Sequence, residues 1–166
     1  MDTTSTQRMF QTRNSLPESC RREMIAMCNQ QLADTFDLLS QVKQAHWNIK
    51  GSGYYFLHKL FDDLYERLAD QADTIAERAA ALGGYVTGTA RMACAASRIP
   101  EIPTSINEDM DYVVALVDRY GMHGSTSRAA IDTAELAGDQ VTLDMFTQIT
   151  HDLDKDLWFL ESHIQV

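Results

Sequence analysis

The chain has 166 residues, which is enough for one domain with a substantial core, and 45% of them are hydrophobic. Its net charge is -10, with 24 acidic and 14 basic side chains, a balance that disfavours binding to nucleic acid and favours the attraction of cations. The sequence has no apolar run of membrane-spanning length and no signal-peptide pattern, and Cys20, Cys28 and Cys94 lack the spacing of a zinc motif, so we expect a cytoplasmic protein with reduced thiols.

The first predicted segment is a flexible arm, residues 1–14, which is rich in Thr, Ser and Gln and has no apolar period. A first helix follows it. Ser15 and Glu18 have the spacing of a capping box, and Pro17 suits the first turn of a helix, where its missing N–H costs nothing. Apolar residues then keep a helical period to about Asn48.

A second helix is predicted from about Tyr54 to Leu82, between two glycine-containing turns. Its large apolar side chains fall on one broad arc of the helical wheel, and its acidic side chains fall on the opposite side. This acidic stripe has two interpretations, a solvated face or a set of metal ligands. It consists of Asp62, Asp63, Glu66, Asp70, Asp73 and Glu77.

Residues 84–107 carry the remaining loop signals and have room for a short helix near Thr89–Ala96. A third long helix is predicted from about residue 107 to residue 136. Gly138 closes it, and Asp139 is a good N-cap for a fourth helix.

The fourth helix is predicted to end near Ile164, and no strand alternation occurs anywhere in the chain. Four long helices with one long connection between the second and third are typical of the ferritin-like four-helix bundle. We therefore expect residues 15–166 to form one all-α domain of this architecture.

Five residues of the first two helices form a candidate metal site. His58 and Asp62 are four apart, as are Asp73 and Glu77, so each pair lies on one face of a helix. With His46 they make a mixed nitrogen and oxygen ligand set that suits iron and similar divalent metals. The two pairs stand roughly 16 Å apart along the helix axis, so they cannot share a metal within one chain.

A second copy of the chain would solve this separation. If two copies of the second helix pack antiparallel about a two-fold axis near Arg67 and Leu68, the first pair of one chain faces the second pair of the other. The same operation makes an identical second site, and His46 completes each site from the first helix. The spacing therefore predicts a dimer with two intersubunit metal sites.

Four stretches of these helices match a known signature: Ala45–Gly51 (AHWNIKG), Phe56–His58 (FLH), Phe61–Tyr65 (FDDLY) and Asp73–Arg78 (DTIAER). They resemble the Dps family, the mini-ferritins or DNA-binding proteins from starved cells. The similarity continues through Gly138, Asp139, Asp154, Lys155 and Trp158, and it covers about residues 20–165.

The resemblance implies a dodecameric shell of four-helix subunits in which Fe(II) is oxidised, usually by hydrogen peroxide, and stored as Fe(III) mineral. This activity is that of a ferroxidase, which protects against oxidative stress, with two iron ions per intersubunit centre and zinc as an alternative occupant. The family's ligand positions fall on His46, His58 and Asp62 of one subunit and on Asp73 and Glu77 of its two-fold mate, and Trp47 matches a tryptophan beside the centre. Core packing is the alternative role for Trp47.

Other acidic residues have two interpretations each. Asp139 and Asp144 fall where the family has acidic three-fold channels for iron, although helix capping explains Asp139 equally well. Asp63, Glu66 and Asp70 are candidates for mineral nucleation inside the shell, and surface solvation is the competing explanation.

The chain departs from the family members that condense DNA, which typically carry a lysine-rich tail. The arm has no lysine, and phosphate repulsion from the acidic surface predicts weak or absent DNA binding. The alternative function is a DNA-protecting or structural cage with little ferroxidase activity. The complete ligand set favours the ferroxidase.

Overall fold

The computed structural model describes residues 8–165. Five helices follow one another along the chain: α1 (Glu18–Asn48), α2 (Tyr54–Ala81), α3 (Ala90–Ala96), α4 (Asp109–Ala137) and α5 (Gln140–Glu161). Four of these helices are long, and the crossover between α2 and α4 contains the short α3. The predicted all-α four-helix bundle with a long crossover is therefore confirmed. Within the described range, no helix has both the length and the apolar composition that a membrane span requires.

The bundle consists of two helix pairs, α1 with α2 and α4 with α5. Contacts between α1 and α4 join the pairs, whereas α2 and α5 touch only weakly. Each long helix buries an apolar stripe, and the largest fully buried side chains include Leu38 of α1, Phe61 of α2, Tyr120 of α4 and Phe146 of α5. Burying a side chain of this kind stabilises a fold by roughly 1.5–3 kcal/mol. The apolar stripes thus hold the bundle together and leave the acidic face of α2 outside the core.

The start of α1 differs from the prediction. Pro17 occupies the N-cap position, and this cap makes no side-chain hydrogen bond. The Glu18 carboxylate instead accepts a hydrogen bond from Arg22 Nε at 2.9 Å. The predicted capping box is therefore wrong, because the helix begins only at Glu18 and Ser15 lies before the N-cap position that a capping box requires.

The turn between α4 and α5 follows the prediction closely. Gly138 adopts φ 76°, the left-handed conformation that ends many helices. Asp139 is the N-cap of α5, and its side chain accepts a hydrogen bond from the Thr142 amide at 3.1 Å. The helix itself ends at Glu161, earlier than expected, because residues 162–164 form a turn.

The predicted flexible arm is only partly described, since residues 1–7 lie outside the described range. Residues 8–14 run past the end of α2. The Phe10 amide donates to the Gly83 carbonyl at 2.7 Å, and Met9 pairs with Gly84 in an isolated antiparallel bridge. The flexibility of the whole arm stays a prediction.

Candidate metal centre

The two predicted histidine ligands form a stacked pair. His46 lies in the last turn of α1 and His58 lies near the start of α2, so the turn between the helices brings them together. Their ring centroids are 3.7 Å apart, with 21° between the ring planes. His46 Nδ1 lies 2.9 Å from the His58 carbonyl oxygen, and His58 Nδ1 lies 3.0 Å from the His46 carbonyl oxygen.

These reciprocal contacts fix the tautomer of both rings. A carbonyl oxygen can only accept a hydrogen bond, so each Nδ1 must carry the proton and donate it. The Nε2 atom of each neutral ring then keeps its lone pair, which is the form of imidazole that binds a metal. The backbone of this turn therefore holds both rings with Nδ1 as the donor and leaves Nε2 as the nitrogen that could bind a metal.

The third predicted ligand, Asp62, is held by a lysine that the sequence interpretation missed. Lys43 Nζ donates to Asp62 Oδ1 at 2.5 Å and lies 4.7 Å from the centroid of the Tyr65 ring. This hydrogen bond, together with smaller contributions from the charges of His46 and Lys43, lowers the pKa of Asp62. His46 Nδ1 is 3.6 Å from the same oxygen. The carboxylate is thus ionised, beside the histidine pair, and already in contact with one cation.

A signal for Lys43 was present in the sequence. Lys43 precedes His46 by three residues, so both side chains lie on the same face of α1, one turn apart. Tyr54 was missed as well, and its ring lies 5.1 Å from that of His58. Neither residue is an iron ligand of the usual kind, so a ligand pattern alone does not indicate them.

The second predicted ligand pair stands apart from the first. Asp73 and Glu77 are exposed on α2, about 16 Å along the helix axis from Asp62. Among residues 8–165, no three His, Cys, Asp or Glu side chains lie close enough to hold a metal ion together. The two predicted ligand pairs are therefore separate within one chain, and the shared site between two chains stays a prediction.

Trp47 is a surface residue of the chain. Its side chain is 66% exposed, directly after His46 at the end of α1. The alternative interpretation of Trp47 as a core-packing residue is therefore wrong for the single chain. The neighbouring start of α2 also exposes aromatic side chains, those of Tyr54, Tyr55 and Phe56.

Asp139 has a structural role within the chain. Its side chain is 1% exposed, both of its oxygens accept from Arg78 Nη2 at 2.7 Å, and Thr142 Oγ1 donates to one of them at 2.5 Å. The ion pair and the hydrogen bonds occupy the carboxylate, so the interpretation of Asp139 as an iron-channel residue is wrong and the capping interpretation holds. Asp144 is exposed on α5 and stays a candidate.

The candidate nucleation residues lie on the open side of α2. Asp63, Glu66 and Asp70 are all exposed. Asp70 and Asp144 line one groove of about 360 Å³ between α2 and α5, where these helices touch only weakly. The structure thus brings one predicted nucleation residue and one predicted channel residue to the same groove.

An ion pair between Arg67, which lines this groove, and the buried Asp156 was not anticipated. Asp156 of α5 is 1% exposed, and its Oδ1 accepts from Arg67 Nε at 2.8 Å. Burial raises the pKa of Asp156 to about 6, although the positive charge of Arg67 opposes the shift. Sequence spacing could not reveal this pair, because the two residues come from helices that are distant along the chain.

Comparison with known proteins agrees with the fold and the motifs. A family model described as "Ferritin-like domain" matches residues 25–166. The "DNA protection during starvation protein" of Agrobacterium fabrum is 41% identical over 154 residues, which cover 93% of this chain and 95% of that protein. The structure of DpsC from Streptomyces coelicolor superposes with a TM-score of 0.90 at 25% identity, over 95% of this chain and 92% of that one.

A Dps protein from Vibrio cholerae, described as a member of a broad superfamily of ferritin-like diiron-carboxylate proteins, shares the fold. Its TM-score is 0.87 at 22% identity, over 96% of this chain and the whole of the other. The family match covers most of the chain, and the Agrobacterium relative spans nearly all of it. The chain therefore belongs to the Dps family of ferritin-like proteins.

Proposed function

We propose that the protein is a ferroxidase that oxidises Fe(II), preferably with hydrogen peroxide, and stores the Fe(III) product as mineral inside a homo-oligomeric shell. The observation that carries this proposal is the reciprocal bonding of His46 and His58, which leaves both Nε2 atoms available beside the ionised Asp62. Neutral imidazoles and carboxylates are suitable ligands for Fe(II). Iron is the substrate of this reaction.

The proposed centre lies between two chains. His46, His58 and Asp62 of one chain bind the substrate iron, and Asp73 and Glu77 of a two-fold mate close the site. The exposure of Asp73 and Glu77 and the lack of a complete metal cluster among residues 8–165 support this division. The oligomer is a dodecamer built from such two-fold dimers and works in the cytoplasm, and mass photometry of the purified protein tests its subunit number.

The centre takes two iron ions in turn, and Lys43 sets their order. Lys43 Nζ already donates to Asp62 Oδ1, so a cation held by this carboxylate would have to compete with it. When two Fe(II) ions are present, one peroxide accepts two electrons and is reduced to two hydroxide ions, so no hydroxyl radical is released. Trp47, exposed beside His46, quenches oxidising equivalents that escape this route. Zinc is an alternative occupant because it uses the same ligand types.

The alternative function is DNA protection or a structural cage. The name of the Agrobacterium relative refers to DNA protection. The net charge of -10 per chain opposes it, because repulsion from phosphate grows with every subunit of an oligomer. We expect no retention of linear plasmid in a gel-shift assay at about 0.15 M salt, and retention at this salt concentration would favour the alternative.

The ferroxidase proposal is tested by anaerobic loading with Fe(II), followed by addition of peroxide or air, with oxidation monitored by absorbance. We compare the native protein with the double variant His46→Ala/His58→Ala. His151→Ala is the matched control, because His151 is an exposed histidine of α5, away from the proposed centre. The double variant should lose rapid oxidation and the control should keep it. A double variant as fast as the native protein shows that the proposed site is wrong.

A further inference from the structure

A single carboxylate from α4 is bonded to the turn that joins the two histidine ligands. Asp109 is the first residue of α4, and its Oδ2 accepts a hydrogen bond from the Gly53 amide at 2.9 Å. Its Oδ1 accepts from the Met110 amide at 2.9 Å. Both oxygens of Asp109 are therefore engaged, one with its own helix and one with the turn between α1 and α2.

The turn is shaped around this carboxylate. Gly51 has φ +121°, which side-chain-bearing residues rarely adopt, and a Cβ atom there would lie 2.8 Å from Asp109 Oδ2. A Cβ atom at Gly53 would lie 3.0 Å from the same oxygen. Two glycines thus leave the space that the Asp109 side chain fills.

The same turn sets the geometry of the histidine pair. Gly51 follows His46 by five residues, and Gly53 precedes His58 by five residues. The reciprocal hydrogen bonds of 2.9 and 3.0 Å require the end of α1 and the start of α2 to keep one relative position. A shift of either helix end would break the bonds that hold each Nε2 lone pair in place.

We propose that Asp109 is a positioning residue for the His46–His58 pair: by holding the Gly51–Gly53 turn, it keeps both imidazoles in the orientation and tautomer that bind a metal. This inference rests on the proposed function, because it assigns the pair to metal binding. Asp109 itself does not touch the metal. Loss of an outer partner that orients a ligand typically lowers metal affinity by about 10- to 100-fold.

The test measures Co(II) binding to the assembled protein by its visible absorption, together with the melting temperature. Asp109→Ala should weaken Co(II) binding by about 10-fold, the lower end of the range for outer partners. Asp111→Ala is the matched control, since Asp111 is an acidic residue in the first turn of the same helix and is exposed. The control should keep native Co(II) affinity. Asp109→Asn should recover part of the affinity because an amide oxygen can still accept from the Gly53 amide.

The melting temperature separates positioning from a purely structural role. If Asp109→Ala lowers the melting temperature but leaves the Co(II) dissociation constant at its native value, the inference is overturned. If Asp109→Ala does not fold, Gly53→Ala replaces it, because the added Cβ would lie 3.0 Å from Asp109 Oδ2 and push this oxygen away from the turn, without the positive φ of Gly51. Gly53→Ala with native Co(II) affinity overturns the inference as well.

Co(II) binding by the histidine variant distinguishes a failure of the proposed function from a failure of the positioning role. His46→Ala/His58→Ala should abolish the Co(II) spectrum. If that variant binds Co(II) as the native protein does, the proposed centre itself is wrong. If it loses Co(II) while Asp109→Ala and Gly53→Ala keep it, only the positioning role of Asp109 is refuted.

Discussion

Mixing two inactive variants tests whether the metal centre is shared between chains. The first variant, His46→Ala/His58→Ala, destroys the histidine half-site and leaves the second half-site intact. The second variant, Asp73→Ala/Glu77→Ala, does the reverse. Because the half-sites lie about 16 Å apart along α2, neither variant has a complete centre in an oligomer of its own subunits.

The expected activity of the mixture follows from symmetry. When equal amounts of the two subunits combine at random, half of all two-fold dimers contain one subunit of each kind. In such a mixed dimer, one centre receives both altered halves and the other centre receives both native halves. We therefore expect the mixture to recover roughly a quarter of the native ferroxidase rate. If the centre lay within one chain, the mixture would recover no ferroxidase activity, since every chain carries one altered half-site.

The assay dissociates the two variants, refolds them together, and measures the initial rate of Fe(II) oxidation by peroxide. Different affinity tags on the two variants show by sequential purification that mixed oligomers have formed. Variants that are refolded separately and then combined serve as the control and should stay inactive. Mixed oligomers that are no more active than their parents refute the shared centre, and so does a native rate for Asp73→Ala/Glu77→Ala alone.

Three further variants probe the charges around the centre and the bundle. Lys43→Gln should tighten binding of the second Co(II) ion by about two- to fivefold in a titration, because it removes a partly exposed ion pair that competes for Asp62; unchanged or weaker binding of that ion would show that Lys43 does not compete. Asp139→Ala should lower the free energy of unfolding in urea by about 3–5 kcal/mol, since it leaves a buried partner unpaired. Asp144→Ala, an exposed change in the same helix, should alter it by less than about 0.5 kcal/mol, and equal losses would contradict the burial argument. The pKa of Asp156, about 6 in the folded state, lies above its ordinary value of 3.8. The folded state therefore binds the proton more tightly, so this group should raise stability as the pH falls from 7 toward 4, and Asp156→Asn should lose that increment. An unchanged pH dependence of urea unfolding in Asp156→Asn would contradict this assignment.

The helices could be predicted because their signals are local. The apolar period and the turn glycines gave the bounds of α2 to within one residue at its C-terminal end. Gly138 and Asp139 marked the turn between α4 and α5. Gly138 ends α4 through its own left-handed backbone conformation, and Asp139 caps α5 by accepting from the nearby Thr142 amide. The capping box failed for a local reason too, since Pro17 at the N-cap moved the helix start beyond the reach of Ser15.

The functional site could be predicted only in part. The spacing of His58 and Asp62 shows that they share a helix face, because that relation depends on helical geometry alone. It does not show that His46 and His58 exchange hydrogen bonds with each other's carbonyl groups, because those bonds depend on a turn fixed by a third helix. The burial of Asp139 was also hidden, since its partner Arg78 lies on α2 and only the packed bundle brings them together.

The proposed centre is asymmetric in charge, and this asymmetry gives the second chain an electrostatic role besides the geometric one. In the histidine half-site, the Lys43 ammonium contacts the Asp62 carboxylate and offsets its negative charge. A divalent cation gains little electrostatic attraction there. The exposed Asp73 and Glu77 of a two-fold mate would add two negative charges, which balance one Fe(II) while Lys43 stays in place. A second Fe(II) would find that charge already neutralised and would have to displace Lys43 from Asp62. We therefore expect assembly to favour binding of the first ion and Lys43 to oppose binding of the second.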